Sequence, residues 1–242
     1  MDTLIQKNLK ILFWNSKSIV NKKEELRKIL TALDIFICVQ SWLSKNDNFI
    51  FAGFKTFRQD RQDKIRGGIV ILIRNHLAYN ETQNISSSLP SIVIAGITIT
   101  NVKPALDLLV CYRAPGVTIS ETQWDQVLNF NSHHINWNCN KTDSNGENFY
   151  NSLLKTNLIL HNNNTHTYEQ TQNDYSSNID LIFSSNNLTH RVNANVLLDP
   201  WGSDHFPIDI EVDLEKYVYR KRSFKLKSVG TKWDLQVLVS RP

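Results

Sequence analysis

The stretch "LKILFWNSKSIVNKKEELRKILTALDIFICVQ" (9–40) decides the fold class. Its first six residues are an apolar run with the composition of a strand. In residues 21–33, Leu26, Ile29, Leu30 and Leu33 recur at i, i+3, i+4 and i+7, the spacing of one helix face. Asn21 followed by Glu24 is a capping-box-like start for that helix. Residues 34–39 are continuously apolar after Asp34 and of strand length, as in a strand covered on both faces. Strand, helix and buried strand in this order predict a right-handed crossover between two parallel strands.

Working outward, further strands are predicted at 50–57, 68–74, 91–99 and 106–112. No helix separates the runs at 68 and 91, so the two are expected to pair antiparallel. A helix at 146–156 leads to strands at 158–162, 179–183, 193–198 and 206–212. The expected architecture is a four-layer α/β sandwich: two mostly antiparallel mixed sheets flanked by helices. One domain spans residues 1–214, and 215–242 reads as a basic tail or linker.

Composition sets few limits. The 242 residues carry a net charge of +4, with 41% hydrophobic and 21% charged residues, ordinary for a globular chain. A polyanionic partner is allowed by this charge but not demanded. Cys38, Cys111 and Cys139 lack metal or disulfide spacing and read as small buried hydrophobes in a reduced compartment. No leader or membrane-spanning run is recognised, so an intracellular protein is expected. His133, His134 and Cys139 fit no standard zinc spacing and read as a polar loop. Gly67 and Gly68 mark 60–68 as a hairpin turn before a nucleic-acid loop.

Polar residues gather at the ends of the predicted strands: Asn15, Gln40, Tyr112, Asn129 and Asn131, Asp180, and the pair Asp204–His205 in "GSDHFPI" (202–208). Strand ends are where sites assemble in open α/β sheets. Amides, a phenol, carboxylates and an imidazole suit metal-assisted attack on a phosphodiester. Asp204 and His205 alone also fit a surface pair or a capped turn.

The phrases "WNSKSI", "DIFICVQSWL", "RQDRQDKIRGGIVILIR", "CYRAPG", "NFNSHHINWN", "SSNIDLIFSS" and "GSDHFPI" follow one another over about residues 8–212. In this order they resemble the endonuclease/exonuclease/phosphatase superfamily, within it the apurinic-endonuclease-like domain of LINE-type, jockey-like non-LTR retrotransposons. The resemblance implies a DNA endonuclease dependent on Mg²⁺ or Mn²⁺, acting on double-stranded DNA in the nucleus. Cleavage leaves a 3′-hydroxyl, the primer for an associated reverse transcriptase. Asp204 and Asn15 are the implied metal-side residues, with Asp204 beside the attacking water. His205 is implied to bind the scissile phosphate, oriented by Asp180. Tyr112 is implied at the phosphate near the leaving oxygen, and Asn131 at the phosphate or the water.

Two positions depart from that pattern. Gln40 stands where the family has its main metal-binding glutamate, which weakens the expected metal affinity. Asn129 stands where an aspartate positions or deprotonates the water, and an amide cannot take that proton at neutral pH. Between "YRAPG" and "NFN", residues 117–128 have room for a short helix but not for a strand as well, so one helix-strand segment is expected to be lacking. The readings left open are an impaired or inactive endonuclease, a non-catalytic nucleic-acid-binding or inert remnant of a mobile element, and a phosphomonoesterase or phospholipid esterase on the same scaffold.

Overall fold

The structure, a computed structural model, describes residues 2–6, 8–61, 66–82, 91–120, 132–170 and 175–220. In the first half the strands are β1 Asp2–Gln6, β2 Leu9–Asn15, β3 Ile35–Val39, β4 Phe54–Gln59, β5 Ile69–Arg74, β6 Tyr79–Glu81, β7 Ile92–Ile99, β8 Val102–Lys103 and β9 Leu106–Arg113. The second half holds β10 Leu158–Leu160, β11 Tyr168–Gln170, β12 Tyr175–Ser177, β13 Phe183–Ser185, β14 Val192–Val196, β15 Ile208–Val212 and β16 Glu215–Arg220. The α-helices of the described residues are α1 Lys23–Ile29 and α2 Ser144–Leu153.

The class is mixed α/β, as expected from the sequence. A six-stranded sheet runs in the order β14-β15-β2-β3-β5-β4. β2 and β3 are parallel, Ile11 opposite Ile35 and Asn15 opposite Val39, while the other neighbours are antiparallel. All five residues of β3 are buried, so its unbroken apolar run matches a strand covered on both faces. Period-two alternation sends Leu12, Trp14, Phe36, Cys38, Val70 and Leu72 to one face, where they pack with Leu26 and Leu30 of the α1 region. Ile11, Ile37, Val39, Ile71 and Ile210 take the other face and meet Val93, Ile97 and Val110 of a β6-β7-β9 sheet. Beyond that sheet, Phe149 of α2 packs with Ile119, Trp137, Ile179 and Leu181.

Several sequence expectations change. β5 and β7 do not pair: β5 lies between β3 and β4, and β7 between β6 and β9. Both strands are apolar on both faces, so pattern could not separate pairing within a sheet from packing across two sheets. The helix begins at Lys23 with Lys22 as its N-cap and no side-chain cap, so the Asn21 capping box does not form. Residues 179–182 are not a strand; β13 begins at Phe183. Side chains take over the backbone groups there: Thr167 Oγ1 accepts from Ile179 N–H and Asp180 N–H, and Asn162 bonds Asp180 O and Ile182 N–H. The stretch read as a tail opens with β16, which pairs with β1 and β8.

A cavity of about 420 Å³ opens between β9 and residues 180–185, floored by Ile11, Phe13, Ile37 and Val39. Every residue from 106 to 112 lines it, so it touches both faces of β9 and therefore that strand's edge. Among the described residues no strand pairs with β9 on the side away from β7. The reading of 117–128 as a short helix falls mostly on 121–128, outside the described residues.

Candidate active site

The parallel pairing of β2 with β3 brings Asn15 and the residue after Val39, Gln40, to one edge of the six-stranded sheet. β15 runs antiparallel to β2, so the turn that enters it delivers Asp204 and His205 to the same edge. The two ends are tied together. Trp14 Nε1 donates to His205 O at 3.1 Å, and Ser203 Oγ donates to Asn15 O at 2.8 Å. From the other side, Phe206 N–H donates to Thr167 O at 2.8 Å and Glu169 N–H to Asp204 O at 2.9 Å.

His205 is buried at the centre of this cluster. Its Nδ1 lies 2.6 Å from Asp180 Oδ2, and its Nε2 lies 3.4 Å from Asn15 Nδ2. The Tyr168 ring meets the imidazole edge-on at 4.8 Å between centroids. A buried carboxylate on Nδ1 fixes the ring's orientation and tautomer, leaving Nε2 as the working nitrogen. Asp204 Oδ1 stands 4.0 Å from that nitrogen, and Asp204 Oδ2 accepts from Lys17 Nζ at 2.5 Å.

Asn15, Asp180, Asp204 and His205 are thus brought together in one cluster. Tyr112, near the end of β9 in the second sheet, is buried, with a hydrogen bond between its side chain and that of Gln40. Burial raises the Tyr112 phenol above its ordinary pKa, against the opposing pull of Arg61 and Gln40, which keeps it a proton donor. Asn129 and Asn131 lie outside the described residues.

Sequence reasoning missed Lys17, Thr167 and Tyr168. Lys17 was legible only as part of "WNSKSI". The short β11-β12 hairpin that carries Tyr168 and leads into Asp180 has three-residue strands, too brief for a periodic signal. His133 and His134 are engaged locally: His133 Nδ1 contacts Asp143 at 3.0 Å, and His134 Nδ1 accepts from Asn136 N–H while the ring stacks on Tyr150.

Among the described residues, two acceptor oxygens of the cluster, Asn15 Oδ1 and Asp204 Oδ1, are buried with no hydrogen-bond partner. Such orphaned oxygens are costly unless something absent satisfies them. One carboxylate and one amide oxygen are hard donors of the kind Mg²⁺ accepts beside water and substrate phosphate. The residues therefore fit a divalent cation with a minimal protein donor set. Among the described residues no group of three His, Cys, Asp or Glu side chains adds to it.

A mixed sheet with one parallel pair, a second antiparallel sheet on its face, and an Asp-oriented histidine at a shared strand edge define the endonuclease/exonuclease/phosphatase fold. The family described as endonuclease-reverse transcriptase matches residues 127–209, a span that includes Asp180, Asp204 and His205. The endonuclease domain of TRAS1, a telomere-specific non-LTR retrotransposon, superimposes with a TM-score of 0.67 at 17% identity, over 85% of this chain and 98% of that one. The AP endonuclease LMAP from Leishmania major gives a TM-score of 0.67 at 10% identity, over 86% of this chain and 88% of that one. The 3′ phosphatase NExo from Neisseria, bound to a product DNA hairpin, gives 0.61 at 17% identity, over 85% and 99%. No curated protein matches the chain.

Proposed function

We propose that this chain is a retrotransposon-derived endonuclease domain whose site binds a DNA phosphodiester and hydrolyses it slowly. The reading is carried by buried His205, clamped between Asp180 and Asn15 with Asp204 alongside. The likeness to the TRAS1 endonuclease domain in fold supports double-stranded DNA as substrate, and hence action in the nucleus.

In this reading His205, held through Nδ1–H by Asp180, acts as the imidazolium: its Nε2–H donates to a phosphate oxygen and stabilises the charge that develops there. Asp204 Oδ1 accepts a hydrogen bond from the attacking water, and Asn15 fixes its direction. Tyr112 donates to the oxygen nearer the leaving group. Attack on phosphorus breaks the bond to the 3′ oxygen, which leaves as a hydroxyl. Mg²⁺ or Mn²⁺, held by Asp204 and Asn15, supplies Lewis-acid stabilisation when bound. Gln40 removes one carboxylate from that set, and Lys17 already neutralises Asp204, so metal affinity and rate are both reduced.

A second reading, a nucleic-acid-binding module without turnover, is favoured by the same Gln40 substitution and Lys17–Asp204 pair. Nicking of supercoiled plasmid by the purified chain separates the two. Slow Mg²⁺-dependent nicking that EDTA and His205→Ala both abolish is expected. Nicking that survives His205→Ala overturns the site; a folded chain that never nicks, even as Gln40→Glu, leaves the binding module.

A further inference from the structure

Lys17 is more than a surface lysine near an acid. Its backbone sits at φ 49° and that of Ser18 at φ 99°, left-handed values that non-glycine residues adopt only when their surroundings impose them. The imposition is visible. Ser16 N–H donates to Val39 O at 3.2 Å and Ser18 N–H to Gln40 O at 2.9 Å, so the loop is stitched to the end of β3 on both sides of Lys17. Lys22 Nζ donates to Ser16 O at 2.9 Å and lies 4.4 Å from the Trp14 ring, bracing the loop from below. The lysine is thereby held over the site, with Nζ 2.5 Å from Asp204 Oδ2, whose other oxygen lies 4.0 Å from His205 Nε2. The side chain is 52% exposed, and an ammonium has three N–H donors, of which Asp204 takes one.

We propose that Lys17 is a fixed phosphate-binding cation of this site, so that the chain holds a DNA phosphodiester without a divalent metal. This rests on the reading of the site as a phosphodiester site and deepens it. The chemistry is direct: with Gln40 contributing no charge, Asp204 is the acid on the Nε2 side of His205, and the Lys17 ammonium balances it. A phosphate oxygen approaching His205 Nε2 meets that ammonium next, and both groups donate to it. A divalent cation and Lys17 then compete for Asp204, which gives the lysine a second measurable consequence.

The test is fluorescence anisotropy of a labelled 12-base-pair duplex with the full chain in EDTA. The variants are Lys17→Met, Lys17→Arg and, on the outer face of α1, Lys28→Met. Wild type is expected to bind in EDTA. Lys17→Met should weaken that binding about tenfold and lower the log–log salt slope by about one. Lys17→Arg should retain binding, and Lys28→Met should match wild type. Lys17→Met should also bind Mn²⁺ more tightly by calorimetry. Equal binding by wild type and Lys17→Met overturns the proposal and leaves the phosphodiester reading standing, as does wild-type binding that requires Mg²⁺. No binding under either condition overturns both.

Discussion

Asp180 Oδ2 lies 2.6 Å from His205 Nδ1, with the two side chains only 3% and 8% exposed, and it is this contact that gives His205 a direction. Asp180 is itself held by Thr167 Oγ1, which accepts its N–H at 2.9 Å. Asp180→Asn removes the charged acceptor and permits the imidazole to take its other tautomer. The expected outcome is a stability loss of roughly 2 kcal/mol and a shift of the His205 ring from Nδ1–H to Nε2–H. Long-range nitrogen–proton NMR of the imidazole reads the tautomer directly; an unchanged spectrum would mean Asp180 does not orient the ring.

Restoring a carboxylate after β3 tests the metal side. Gln40 is half-buried and held at φ 54°, at the strand edge that also carries Asn15. Gln40→Glu adds a second carboxylate to Asp204, and the expected gain in Mn²⁺ affinity is about 10–100-fold, the range over which single metal-site residues act. Calorimetry checks it. An unchanged affinity would place residue 40 outside the cation's reach and leave Asp204 and Asn15 as its only described donors.

The strand ends of this site were legible in the sequence because buried parallel strands announce themselves as apolar runs. Asn15, Gln40 and His205 could each be placed at the border of such a run, and the structure puts them at one sheet edge. Asp180 was placed in a strand and stands in irregular backbone instead. Its neighbours Ile179 and Leu181 have a strand's alternation, but Thr167 and Asn162 supply the hydrogen bonds a ladder would have made, and that exchange leaves no local trace. β5 and β7 were mispaired for a related reason: apolarity on both faces marks a central strand without naming its sheet. Lys17 escaped notice because its role depends on Asp204, 187 residues away.

At the opposite edge of the sheet, β16 is anchored by a buried ion pair, Lys216 Nζ to Asp34 Oδ2 at 2.6 Å, with Lys10 N–H on the same oxygen at 2.9 Å. Burial pushes the Asp34 carboxyl upward, but His76, the Lys10 N–H and Lys216 together outweigh it and hold the pKa below the ordinary value. A depressed carboxyl stabilises the fold fully above its unfolded pKa of about 4 and ceases to do so as pH falls through the lower folded value. Lys216→Met takes the ammonium away from a buried carboxylate and is expected to cost about 3 kcal/mol at pH 7. Urea titrations should show that cost shrinking towards pH 3. A constant cost would assign it to lost packing of the lysine stem.

The cavity beside β9 is lined mostly by apolar side chains, and unfilled apolar space weakens a core. Among the described residues no strand pairs with the outer edge of β9, and Leu109 is half-exposed in its middle. A chain with this gap is therefore expected to unfold at low urea and to bind an apolar dye while still folded. Val110 lines the cavity from β9 and is itself buried. Val110→Phe adds apolar surface where space is available, unlike the usual overpacking of a full core. It is expected to raise stability by about 1–2 kcal/mol and Tm by roughly 2–6 °C, while reducing dye binding. Thermal denaturation followed by circular dichroism reads both chains side by side. A lowered Tm would mean that the space beside β9 is already filled.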